Sequence, residues 1–179
     1  MSNKTNLAAV LKKFPQIYQP IYGHPEYDNE ISRLYQNKIQ DIRKVYDALS
    51  RKLNRPLRIF EIGCGFGFTS LTLASWGAEV TAIDGDRAFS ELWKILRGEN
   101  PALKITFDWV RIEDYPLNKL NAGTFDLVVS FGVFNTLCGL HGLSKVKLVI
   151  GYLAQKIPAC IFEMALRTKS ASYCRSIIA

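Results

Sequence analysis

A chain of 179 residues that is 48% hydrophobic and 22% charged can bury the core of one domain, which excludes global disorder. The formal net charge of +7 favours acidic partners, but the basic residues are scattered and form no nucleic-acid module, so no nucleic acid is expected. No apolar run reaches the length of a membrane-spanning helix, and MSNKTNLAAVLKKFP lacks a signal peptide's apolar region and cleavage site; a cytoplasmic protein with at most peripheral association with the inner membrane is expected.

In chain order, Leu7–Leu11 reads as a short amphipathic turn. Pro15 to Asp28, PQIYQPIYGHPEYD, is too rich in proline for a helix or strand. Its tyrosines and His24 offer apolar bodies with polar tips, suited to covering a ligand. Asn29 to Leu53 places Ile31, Leu34, Ile42, Val45, Leu49 and Leu53 near one helical face, with Asp28 or Asn29 as cap and Pro56 as stop.

The stretch Arg58 to Asp84 reads as strand, glycine loop, helix, strand and acid. Arg58–Ile62 and Glu79–Ile83 are the strands, and Thr69–Trp76 is the helix, stopped by Gly77. Gly63, Gly65 and Gly67 let the chain turn sharply and approach a ligand closely. The helix start offers unpaired N–H groups, and Asp84 at the next strand end can accept both hydroxyls of a ribose. This arrangement asks for a nucleoside-bearing ligand. The dinucleotide fingerprint would need glycine where Phe68 stands, and no G-K-[ST] is present, which argues against NAD and against an ATP loop.

Arg87–Arg97 follows as a helix, Lys104–Val110 as a third strand and Phe125–Phe131 as a fourth. Gly132–Gly142 reads as a loop or short helix, Ser144–Lys156 as a helix with Val146, Val149, Ile150 and Leu153 inward, and Pro158–Met164 as a fifth strand. Alternating strands and helices predict a doubly wound α/β sheet of order 3-2-1-4-5. The fifteen residues after it are expected to be too few for further strands. Cys64, Cys138, Cys160 and Cys174 form no C-x-x-C pair, and with two histidines no metal site is expected.

The pattern acid-x-Gly-x-Gly-x-Gly, Glu61 to Gly67, resembles the first motif of class I methyltransferases that use S-adenosyl-L-methionine. FPQIYQPIYGHPE, YDALSRKLNRPL, EIGCGFGFTSLTLASWGAEVTAID, RIED and GLHGLSKVK together resemble the methyltransferase domain of the bifunctional kinase–methyltransferases that terminate polymannose O-antigen chains in lipopolysaccharide biosynthesis. The resemblance implies a Rossmann-like fold in which residues 1–56 are a cofactor-covering segment and helix, 57–164 the core and 165–179 a tail of one domain. It implies that Tyr18 and Gln19 close over the cofactor and that Lys38 takes a place held by arginine. Glu61, Gly63, Gly65, Gly67, Asp84 and Gly85 would serve the methionine and ribose parts, Val110, Arg111 and Ile112 the adenine, and Phe131 would pack at the fourth strand's end. Asn135-Thr136 stands where the family has two histidines. Asn135 and His141 are the candidate catalytic residues, with His24 as another base for a hydroxyl acceptor; a phosphate acceptor needs none. The implied acceptor is a glycan terminus or small molecule, in the family phosphorylated. The alternative is a catalytically weak methyltransferase-like module that docks on a separate kinase or glycosyltransferase through an exposed sheet edge.

Overall fold

The structure is a computed structural model that describes residues 3–166 and 172–178. Its strands are β1 (Arg58–Ile62), β2 (Glu79–Ile83), β3 (Ile105–Asp108), β4 (Leu127–Phe131), β5 (Cys160–Leu166) and β6 (Ser172–Ile178), and its helices α1 (Asn3–Leu11), α2 (Glu30–Leu53), α3 (Phe68–Ser75), α4 (Ser90–Glu99) and α5 (Val133–Lys156). The strands form one sheet in the order β3-β2-β1-β4-β5-β6. The first five are parallel, in the expected 3-2-1-4-5 order of the class I methyltransferase fold.

The central strands are apolar throughout because both faces are covered. Alternation along each strand sends Ile59, Val80, Ala82, Leu127 and Val129 to one face, under α1, α2, α3 and α4. Phe60, Ile62, Ile83, Val128 and Phe162 go to the other, against α5. All carboxyl ends of the parallel strands therefore open on one rim, where this class of sheet binds ligands.

Three expectations are corrected. The sheet does not stop at β5: β6 pairs with it antiparallel, from Leu166↔Ser172 to Cys160↔Ile178, so the β5 edge proposed for docking is occupied. Residues 167–171 and 179 of the expected tail lie outside the described residues.

The second concerns α2. Asn29 caps it by a reciprocal pair, accepting from the Ser32 N–H at 3.0 Å while its own N–H donates to Ser32 Oγ at 2.8 Å. Its ends face solvent, however, with Ile31 44% and Leu53 36% exposed; the core side is built by Tyr35, Ile42 and Tyr46, with the expected Val45 and Leu49 partly buried against it. The two tyrosines can be buried because their hydroxyls are paired: Tyr35 with Thr69 Oγ1 at 3.0 Å, Tyr46 donating to the Trp76 carbonyl at 2.7 Å. The side chain of Leu34 lies outside the described part.

The third concerns the length of α5, which the stretch Gly132–Gly142, expected as a loop or short helix, opens as a helix. Gly142 breaks that helix at φ 79°, ψ 167°. By length and composition α5 is long and apolar enough to cross a membrane, against the sequence expectation. The break divides it, and neither part reaches the roughly 20 residues a span needs.

Candidate cofactor site

β1 leads directly into the glycine loop, and each glycine there is required by what lies beside it. A Cβ on Gly63 (φ 76°) would sit 1.9 Å from Val133 Cγ2. One on Gly65 (φ 51°) would meet the Tyr18 hydroxyl at 2.7 Å, and one on Gly67 (φ 83°) the Trp93 ring at 2.9 Å. Positive φ and close neighbours together leave no room for a side chain. The loop is fixed from outside: the Gly65 N–H donates to Asp84 Oδ2 at 2.8 Å, and Trp93 Nε1 donates to the Gly65 carbonyl at 2.9 Å. Phe68, where a dinucleotide site has glycine, packs against Tyr22 and Tyr35 at 6.5 and 6.3 Å between centroids.

Above this loop is a cleft of about 690 Å³ along the strand ends. Tyr18, Gln19, Gly63, Asp84, Gly85, Val110, Arg111, Ile112 and Phe131 line it. Gln19 is 3% exposed, and its Oε1 has no hydrogen-bond partner within the protein. A buried acceptor left unmade is costly, so this oxygen suits a ligand donor. Burial pushes the Asp84 carboxyl up from its ordinary value, while N–H groups of Asp86 and Gly65 pull it back down. Burial and then the Asp84 charge raise the Tyr18 phenol, which stays protonated. Asp84, Asp86 and Glu113 outnumber Arg111, the one lysine or arginine among the described lining residues. The cleft therefore fits a ligand with positive charge, a ribose at Asp84 and an apolar group against Val110 and Ile112.

The remaining expected residues do not line the cleft. Glu61 lies beneath the loop, 2% exposed, and accepts a hydrogen bond from the Ser70 hydroxyl. Burial raises its carboxyl to about 7. Gly65 and Gly67 face Tyr18, Gln19 and Trp93. Lys38 lies behind Phe131, 2.5 Å from Glu163 and 5.5 Å from the Phe131 ring centroid. Asn135 lies in the first turn of α5, its N–H donating to the Gly132 carbonyl at 3.2 Å. His141 sits 3.4 Å from Glu113. His24 is held by Glu99 at 2.8 Å and Glu26 at 3.4 Å, which removes it from the acceptor side. Burial raises the Cys64 thiol well above its ordinary value, so it is no nucleophile at neutral pH.

Sequence reasoning missed Asp86, Phe89 and the α5 wall of Val133, Thr136, Leu137 and Leu140. The signal was present: Val133, Leu137 and Leu140 fall at i, i+4 and i+7 inside a stretch left open between loop and short helix.

Comparison with known proteins agrees with this geometry. The methyltransferase domain family matches residues 60–146. The chain is 38% identical over 162 residues to the O-antigen chain terminator bifunctional methyltransferase/kinase WbdD of Escherichia coli. That match covers 90% of this chain but 23% of the relative, so the chain spans about a quarter of the curated relatives it matches. A crystal structure of WbdD superposes with a TM-score of 0.83 at 38% identity, over 89% of this chain and 36% of that one. Magnesium protoporphyrin IX methyltransferase (ChlM) from Synechocystis PCC 6803, with bound SAM, shares the fold at a TM-score of 0.58 and 20% identity, over 96% of this chain and 79% of that one.

Proposed function

We propose, from the premise that this chain carries a methyltransferase domain of the class I fold, that it binds S-adenosyl-L-methionine in the cleft and methylates an anionic acceptor, a phosphorylated glycan terminus. The observation that carries the cofactor assignment is Asp84 at the end of β2, held by the Gly65 and Asp86 N–H groups at 2.8 Å each and turned into the cleft beside the unpartnered Gln19 Oε1. The acceptor class rests on the similarity to an O-antigen chain terminator that is both methyltransferase and kinase. Its kinase activity is the class of reaction that would supply a phosphorylated acceptor. For this chain the partner is then a kinase acting on the same glycan.

The cofactor supplies an activated methyl group on a sulfonium, which moves to the acceptor oxygen while the bonding electron pair stays on sulfur. The chain's own residues bind, orient and exclude water. Asp84 holds the ribose, Gln19 accepts from the ammonium, and Val110 and Ile112 pack against the adenine. Among the described residues lining the cleft the carboxylates Asp84, Asp86 and Glu113 are the groups able to take a proton, and there is no histidine, lysine or cysteine. An acceptor that is already anionic needs no base.

The test is isothermal titration of the 179-residue chain with S-adenosyl-L-methionine and S-adenosylhomocysteine, followed by transfer of labelled methyl to phosphorylated and unphosphorylated mannosides. Micromolar binding and transfer to the phosphorylated sugar alone are expected. Asp84→Ala removes charge-assisted bonds of roughly 1.5–3 kcal/mol, so affinity should fall about 10- to 100-fold. Unchanged affinity in that variant would place the ribose elsewhere. Binding without turnover would keep the cofactor assignment and overturn the acceptor class.

A further inference from the structure

We propose that the exposed face of α5 seats this chain on an anionic lipid surface. Four large apolar side chains of α5 face solvent: Leu140 at 63%, Leu143 at 48%, Leu148 at 54% and Tyr152 at 40% exposure. Leu148 and Tyr152 are four residues apart and form one stripe. Lys145, three residues before Leu148, and Lys156, four after Tyr152, fall in the same rows and bracket that stripe, and Lys147 is exposed beside it. From Val133 to Lys156 the helix carries no aspartate or glutamate.

The opposite face of α5 is fixed to the sheet by Phe134, Leu137, Val146, Val149 and Leu153, all buried. The helix would therefore lie in the plane of a membrane surface, apolar side chains inward and lysines at the headgroups, and would not cross it. Charge selects this occupant. A lysine-bearing, acid-free helix on a chain of net charge +7 complements anionic headgroups. A second copy docked face to face would set the same lysines against each other. Leu140, before the break at Gly142, also lines the cleft, so the first part of α5 reaches the cleft rim. The inference stands on α5 alone and does not depend on methyl transfer.

Flotation of the full chain with vesicles tests it, using phosphatidylcholine alone and phosphatidylcholine mixed with phosphatidylglycerol. The chain is expected on the anionic vesicles only, and less of it as salt is added. Leu148→Ser with Tyr152→Ser should abolish flotation. Lys147→Gln should weaken it about fivefold. Circular dichroism reports whether each variant folds, and Lys147→Gln, at an exposed site, keeps the test valid if the double variant does not. No flotation on anionic vesicles would overturn the proposal, as would equal flotation on both kinds. Flotation unchanged by Lys147→Gln, or a lipid-free dimer that Leu148→Ser with Tyr152→Ser dissociates, would overturn it too.

Discussion

Glu61 sits under the glycine loop with its carboxyl raised from 4.5 to about 7, burial being the largest cause and the nearby Asp84 charge adding to it. A carboxyl whose pKa is higher folded than unfolded contributes stability that is fully present below about 4.5 and is lost as pH rises through about 7. Stability of the free protein should therefore fall across that window. Glu61→Gln keeps an acceptor for the Ser70 hydroxyl without the titration, and its stability, measured by urea unfolding in a pH series, should be flatter there. Parallel curves for both proteins would assign the slope to another group. Cofactor binding adds positive charge above this carboxyl, so a proton should leave as the complex forms near pH 7. Titrations in buffers of different ionisation enthalpy detect it.

Among the elements, the N-terminal strap, residues 14–24, carries Tyr18 and Gln19 to the cleft. Phe14 stacks on Phe89 at 5.1 Å between centroids and tilts against Phe66 at 5.0 Å, while His24 bonds Glu99 at the end of α4. Tyr18 and Gln19 hang between these two anchors. Two aromatic pairs are worth roughly 1–3 kcal/mol together. Phe14→Ala should thus loosen the strap and weaken cofactor binding about tenfold, with little change in the core's unfolding midpoint. A matched loss of midpoint would show that the strap belongs to the core instead. The sequence made the strap's composition and the β1–α3–β2 unit legible, because strands buried on both faces and a positive-φ loop leave strong local patterns. Lys38 shows where local pattern runs out. Its partner Glu163 is 125 positions away, and only the pairing of β4 with β5 brings them within 2.5 Å. The inward tyrosines of α2 were hidden for a similar reason, since their partners Thr69 and Trp76 belong to the next helical unit. His141 meets Glu113 only because the stretch after β4 is helical, and the sequence left a loop and a short helix both open there.

On the scale of the whole molecule, β6 closes one edge of the sheet. β5 is apolar at Ile161 and Phe162 and would otherwise present unpaired N–H and C=O groups along its length. Removing residues 172–178 should leave a chain that binds cofactor but self-associates, seen as a concentration-dependent rise in light scattering. A monodisperse truncated chain would show that the edge needs no cover. The direction of β6 has a separate, practical consequence. Because it runs against the other strands, Ile178 pairs with Cys160 at the end of the sheet opposite the cleft. A tether placed after Ile178 therefore points away from the catalytic rim. Immobilising the chain there for surface-based binding measurements would leave the cleft open to the bulk solution.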